Sequence, residues 1–134
     1  MEKAVKMAAH LLSEMTYCGA LATLSTSHVY YHGITNIFRQ PEFEDRFMLL
    51  GFADLLDHLN EFIMELPKIE QEVIYIGREN PYLRKAGCSM IVSPYNNQGI
   101  EGFLGLLGPT RMSYEKNLLL LDFMTTSLNE MGGK

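Results

Sequence analysis

Apolar positions along this chain change their spacing several times, and each change marks an element. In residues 3–17, Ala4, Val5, Ala8, Leu11, Leu12 and Met15 recur every three or four residues, which gathers them on one face of a helix. Gly19 is the predicted stop. Residues 20–25 and 29–34 are rich in aliphatic, aromatic and hydroxyl side chains, and the polar Thr26-Ser27-His28 between them predicts a hairpin. Residues 36–41 break the pattern. From about Glu42 a long helix is predicted, carrying Phe52, Leu55, Leu56, Leu59, Phe62, Ile63 and Leu66 at helical spacing and ended by Pro67. Gly51 interrupts it at a cost of about 1 kcal/mol relative to alanine, so a kink or a close approach is expected there. Residues 72–76 read as a short strand, followed by a turn-rich link through Gly77 and Arg78 to a single helical turn near 82–85. A strand over 89–95, a hairpin turn at Asn96-Asn97-Gln98-Gly99 and a strand over 100–107 come next. The closing helix, from Tyr114 to about Asn129, has Leu118, Leu121 and Leu128 on one face, widened by Leu120 and Met124.

The stretch 102–114 organises the rest. Phe103, Leu104, Leu106 and Leu107 put apolar side chains on both faces of a strand, since successive side chains point opposite ways, so both faces should be covered. Gly108-Pro109 ends the run, and Ser113 stands where a helix N-cap belongs, its hydroxyl expected to accept a backbone N–H, with the acidic Glu115 in the first turn. Short hairpin links and helices at both ends predict the α+β class: an antiparallel sheet of about five strands with N-terminal, central and C-terminal helices packed on it, one domain over 1–134.

Composition changes this picture little. With 134 residues, 47% hydrophobic and 20% charged, the chain can bury a substantial core. Its net charge of −5 comes from 11 basic and 16 acidic residues, and the basic ones are scattered, so no stripe for a phosphate backbone exists. Two cysteines and no secretory leader pattern predict a cytoplasmic setting with free thiols, and no apolar run approaches a membrane span. The nine methionines read chiefly as fillers of irregular core gaps.

Candidate chemistry is thin. His28 and His32 could share a strand face, but no third or fourth ligand lies near in sequence, so both read as ordinary polar positions, and His10 and His58 as boundary residues on helices. Cys18 follows a helix and Cys88 leads into a strand, placements that suit small buried hydrophobes better than reactive thiolates. Gly102, Gly105 and Gly108 lack the lysine and loop of a phosphate-binding motif and read as sites of close backbone packing. Arg78, Glu79 and Asn80 make a polar cluster on a turn. No catalytic triad, acid–base pair, metal site or cofactor site is assignable, so an enzyme is not expected.

Four blocks carry a resemblance. Ile34-Thr-Asn-Ile-Phe-Arg-Gln-Pro-Glu-Phe43, Ile76-Gly-Arg-Glu-Asn80, the strand over 88–95 and Leu107-Gly-Pro-Thr-Arg-Met-Ser-Tyr114 together resemble the C-terminal region of the bacterial heat-inducible transcription repressor family, HrcA. The resemblance implies a GAF-like domain of an operator-binding repressor of chaperone genes, with the operator an inverted repeat. It implies protein partners, namely self-association or the chaperonin, and names no small-molecule ligand. It marks Asn36, Gln40, Pro41, Glu42, Phe43, Gly77, Glu79, Asn80, Gly108, Pro109, Thr110, Arg111, Met112 and Tyr114 as family-motif positions of structural role. The family's winged-helix segment is not recognisable here, and its inserted dimerisation segment, placed between the first two strands, is matched only by Thr26-Ser27-His28. Direct nucleic-acid binding is therefore not expected of this chain alone. Arg111 is expected to tie the last helix to the sheet through nearby carbonyls or an acidic partner, with ligand contact as the alternative. A GAF-like small-molecule sensor is the competing functional reading, and a deep, partly polar pocket would favour it over an interaction module.

Overall fold

Alternation along the strands decides which side chains meet which layer. The computed structural model describes residues 2–24, 28–66, 70–77, 81–84 and 87–131. In chain order the elements are α1 (Glu2–Thr16), β1 (Gly19–Leu24), β2 (His28–His32), α2 (Ile34–Phe38), a 3-10 turn (Pro41–Glu44), α3 (Arg46–Asp57), α4 (Leu59–Glu65), β3 (Val73–Tyr75), α5 (Pro81–Arg84), β4 (Cys88–Asn97), β5 (Ile100–Pro109) and α6 (Tyr114–Glu130). The strands form one antiparallel sheet in the order β2-β1-β5-β4-β3, which is the α+β arrangement implied above.

β5 sits at the centre and is covered on both faces, as its apolar pattern requires. Leu104 and Leu106 join Ala20, Ala22, Ile91 and Tyr95 in a core beneath α1 and α6, with Val5, Ala9, Leu12, Leu121 and Leu128. On the opposite face Phe103 and Leu107 join Leu21, Met90 and Val92 against Ile37, Phe52, Leu55, Phe62 and Leu83. Gly102 serves a close approach. A Cβ there would lie 2.3 Å from the Thr23 carbonyl oxygen, and the space it leaves lets Tyr95 reach past β5 and donate its hydroxyl to that same oxygen at 2.5 Å.

Several boundaries differ from those predicted, each for a local reason. The stop after α1 is Tyr17, held at φ 57°, and Gly19 is already a strand residue packed beside Ile37. β2 ends at His32 because Gly33 turns left-handed at φ 76°, and Ile34 opens α2 where a strand was expected to end. The long central helix is divided. It is preceded by the 3-10 turn at Pro41, capped by Asp45 accepting from Phe47 N–H at 2.8 Å, and runs unbroken through Gly51. The break falls at His58, whose ring Nδ1 bonds the Asp54 carbonyl at 2.9 Å and whose backbone leaves helical geometry. The β4–β5 turn is only Gln98-Gly99, both at positive φ (53° and 87°), the geometry that suits the twist of a two-residue hairpin. Asn96 and Asn97 remain strand residues because the end of α6 uses them: Asn96 N–H donates to Asn129 at 2.7 Å, and the Asn97 amide donates to the Leu128 carbonyl at 2.8 Å and to that of Met131. The predicted joints and stops at Thr26, Ser27, Pro67, Arg78 and Lys85, and the tail 132–134, lie outside the described residues.

Methionine is divided between core and surface. Met90, Met112 and Met124 are buried, whereas Met7, Met15, Met64 and Met131 are exposed, contrary to the expectation that they chiefly fill the core.

Tyr95→Phe is expected to lower the unfolding free energy by about 1–3 kcal/mol in denaturant titrations at pH 7, because the buried Thr23 carbonyl loses its donor. Burial also pushes the Tyr95 phenol up from 10.0 to about 12. The folded state thus favours the neutral phenol, so this contribution is complete below pH 10 and is lost as pH rises from 10 towards 12. The phenylalanine variant should lack that alkaline limb.

Candidate functional site

The motif blocks, far apart in sequence, meet at one end of the sheet, where β1 and β4 begin and β5 ends. Gly77 N–H donates to Ser89 Oγ at 3.0 Å, and Ser89 in turn donates to Thr110 Oγ1 at 3.4 Å. Thr110 Oγ1 donates to the Gly87 carbonyl at 3.3 Å, and Thr110 N–H donates to that same carbonyl at 3.2 Å. Tyr114 folds back from the first turn of α6 to donate its hydroxyl to the Thr110 carbonyl. Gly77 is forced to be glycine by contact: a Cβ would stand 2.0 Å from the Cys88 carbonyl oxygen, a backbone atom that cannot yield. Gly108 packs similarly, with Cys18 Sγ 2.8 Å from where its Cβ would lie.

A second set of bonds ties α2 to the end of α1. The Asn36 amide donates to the carbonyls of Ser13 and Cys18, each at 3.3 Å, and the Gln40 amide to those of Tyr17 at 3.5 Å and Asn36 at 3.4 Å. Arg111 Nη2 donates to Gln40 Oε1 at 3.4 Å. The arginine therefore reaches across to the segment after α2 and meets the carbonyl oxygen of a side-chain amide there, and its side chain is exposed. Ser113 does occupy the N-cap of α6, but its hydroxyl makes no capping bond. Phe43 is buried against Phe38 and Phe52, with ring centroids 6.3 and 5.4 Å away, whereas Pro41 is exposed. Glu79 and Asn80 lie outside the described residues, as does the Glu42 side chain.

Between these two sets of bonds lies a cavity of about 300 Å³, bordered by the end of α1, Gln40, the end of β5 and the first turn of α6. Its contributors include Arg111, Met112, Ser113, Lys116, Asn117 and Cys18. Burial raises the Cys18 thiol above its ordinary value, ahead of the opposing bonds from Thr16 and Asn117, so the sulfur is held as a neutral thiol. Sequence reasoning missed Asn117, although a signal was present: it stands at helical spacing with Leu121, Met124 and Leu128 on the buried face of α6, which also takes in Thr125. Ser89 and Gly87 carried no such signal, because their roles depend on strand pairing with β5.

The histidines fall elsewhere. His10 Nδ1 and His32 Nε2 are 2.8 Å apart and join α1 to β2, with Glu14 3.1 Å from His10 Nε2. Among the described residues no group of three or more histidine, cysteine or acidic side chains could hold a metal ion.

The family model described as "HrcA protein C terminal domain" matches residues 2–118. The chain is 35% identical over 108 residues to a heat-inducible transcription repressor HrcA of Desulfitobacterium hafniense, covering 79% of this chain and 31% of that protein. It is 34% identical over 119 residues to the repressor of the same name from Listeria welshimeri, covering 86% and 34%. The chain thus spans about a third of the length of the curated relatives it matches. Among solved structures, a hypothetical protein superposes with a TM-score of 0.75 at 11% identity, covering 96% of this chain and 69% of that one. An IclR homolog from Microbacterium sp. strain HM58-2 gives 0.54 at 10% identity, covering 96% and 64%. At such identities the likeness is one of fold.

Three substitutions rank the parts of this joint. Gly77→Ala should cost about 3 kcal/mol, because strand backbone must shift to admit the methyl group. Asn36→Ala should cost about 1–2 kcal/mol by stripping donors from two carbonyls. Arg111→Ala, on an exposed side chain, should cost less than either. Thermal and denaturant unfolding check the order, and an Arg111→Ala loss matching that of Asn36→Ala would reverse the last step.

Proposed function

This chain belongs to the family of HrcA C-terminal domains, and from that premise we propose that it is a non-catalytic association module of a heat-inducible transcription repressor, joining two copies of itself. The observation that carries this reading is an apolar face on the α1/α6 layer. Met7, Leu11 and Met15 form a stripe at four-residue spacing along α1 and are 55, 41 and 37% exposed, while Leu119 and Phe123, one turn apart on α6, are 68 and 64% exposed. The opposite flank of α1 is taken up by β2, where Lys6 lies over the Tyr30 ring and His10 meets His32. The Met7 stripe is therefore turned towards α6, which packs beside α1 with its first turn next to Thr16. Each of these two packed helices thus carries exposed apolar side chains on the outer side of its layer.

A second copy is the occupant that best fits this surface. Its apolar centre is flanked on α1 by Lys3 and Glu14, so two α1 helices crossing antiparallel about a twofold axis would set Lys3 of one copy near Glu14 of the other. An inverted-repeat operator, implied by the family resemblance, calls for a protein with matching twofold symmetry. Operator contact is assigned to other segments of such a repressor, since the basic residues here form no stripe. No helix among the described residues is long and apolar enough to cross a membrane.

Sedimentation equilibrium tests the proposal. The chain should reversibly dimerise, and Leu11→Glu and Phe123→Glu should each weaken the dimer roughly thirtyfold, the scale of a buried apolar hot spot, with unchanged helical circular dichroism. Phe47→Glu, on the other layer and 85% exposed, should leave association intact. A chain that stays monomeric, or variants that dimerise as well as the parent, would overturn the reading.

A further inference from the structure

The net charge of this chain is not spread evenly along it. Residues 39–66, from the C-cap of α2 to that of α4, hold seven of the sixteen carboxylates and only two of the eleven basic residues, Arg39 and Arg46, a balance of −5. The other nine acidic and nine basic residues cancel, so the whole excess belongs to the segment whose helices cover one face of the sheet. His58, at the break between α3 and α4, registers the local field. Its imidazole is raised above the ordinary value first by the bond to the Asp54 carbonyl and then, with desolvation opposing, by the carboxylates of Asp54, Glu61 and Asp57.

The same segment turns apolar side chains outward. Phe47, Leu50, Asp54 and Asp57 fall at i, i+3, i+7 and i+10 along α3, which places them on one face, and all four are exposed. Phe52 and Leu55, on the other face, enter the core. Phe47 is 85% exposed, the most of any large apolar side chain among the described residues, and Leu50 is 57% exposed. The outer face of α3 is therefore apolar towards its N-terminus and anionic towards its C-terminus. An apolar patch rimmed by charge is the pattern of an interaction surface.

The sign of the charge selects the occupant. A second copy laid on this face would bring two segments of balance −5 together, and a nucleic-acid backbone or an anionic lipid surface would be repelled in the same way. A small cation would leave Phe47 and Leu50 in water. We propose that the outer face of α3 docks a basic amphipathic helix of a partner protein, with apolar side chains seated on Phe47 and Leu50 and lysines or arginines over Asp54 and Asp57. A helix fits because its own side chains at i, i+3 and i+7 recur at the same rise as those on α3. The aromatic ring is the anchor, and the carboxylates set orientation and speed of encounter. This layer lies across the sheet from α1 and α6, so docking here is independent of self-association there.

Calorimetric and amide NMR titrations of the chain test the proposal with a synthetic peptide that has leucine at helical spacing and lysine elsewhere. Two companion peptides carry glutamate in place of lysine, or serine in place of leucine. The leucine–lysine peptide should bind saturably with shifts over residues 44–65, and each companion should bind at least about tenfold more weakly. Phe47→Ser should weaken binding roughly tenfold, the scale of an apolar hot spot, and Asp54→Asn with Asp57→Asn about threefold, with a flatter dependence on salt. These side chains are exposed, so circular dichroism and sedimentation of the variants should match the parent. Leu119→Ser, on α6, should leave peptide binding unchanged. Undiminished binding by Phe47→Ser, shifts centred on α1 and α6, or a companion peptide that binds as tightly would each overturn the proposal, and the ranking of the three peptides on the parent chain decides the matter without any variant.

Discussion

Burial of β5 on both faces is the constraint on which the remaining structure depends. A strand with apolar side chains pointing both ways is stable only when both sheet faces are covered, and here two separate helical layers do so. Because β5 pairs with β1 on one side and β4 on the other, it also sets the register of both. Its glycines keep the middle of the sheet thin where neighbours must approach. At Gly102 this lets Tyr95 bond the Thr23 carbonyl, joining β4 to β1 across the strand between them. A side chain there would displace both partners.

The same strand delivers the motif residues to the joint. Where β5 ends, Thr110 and Arg111 stand within reach of the strand before α5, the start of β4 and the segment after α2, and the bonds made there hold four parts of the chain together. Such a joint leaves its surroundings polar and slightly open, and a cavity lies beside it. The apolar association face lies on the outer side of the α1/α6 layer. α6 therefore belongs to both features: its first turn borders the cavity and its middle carries Leu119 and Phe123.

Much of this was legible in the residues. Helical spacing identified α1 and α6, and double-sided apolarity placed β5 in a covered position before any neighbour was known. The Gly-Pro-Thr-Arg-Met block marked the joint. Its bonding was less readable: Arg111 suggested nearby carbonyls or an acidic partner by its chemistry, and one of its bonds is to Gln40, 71 residues away, which no local pattern could reveal. Asn117 was visible only as an amide at helical spacing with Leu121 and Leu128.

The sequence by itself determined the class of fold, because side-chain periodicity and turn chemistry are local and act within a few residues. It also determined that the chain has no basic stripe, since charge count and spacing are properties of the string. Tertiary structure alone decided where helices yielded to other demands. Residues 34–38 became helical because Asn36 had carbonyls of Ser13 and Cys18 to bond, and Asn96 and Asn97 stayed in a strand because the end of α6 needed donors. It also decided which apolar residues remained outside. Met7 and Leu12 are equally apolar to a sequence reader, but Leu12 points at the sheet and Met7 at the flank. The physical reason is common to these cases: local propensity selects among conformations within about 1 kcal/mol per residue, and long-range bonds and burial of similar size settle the choice.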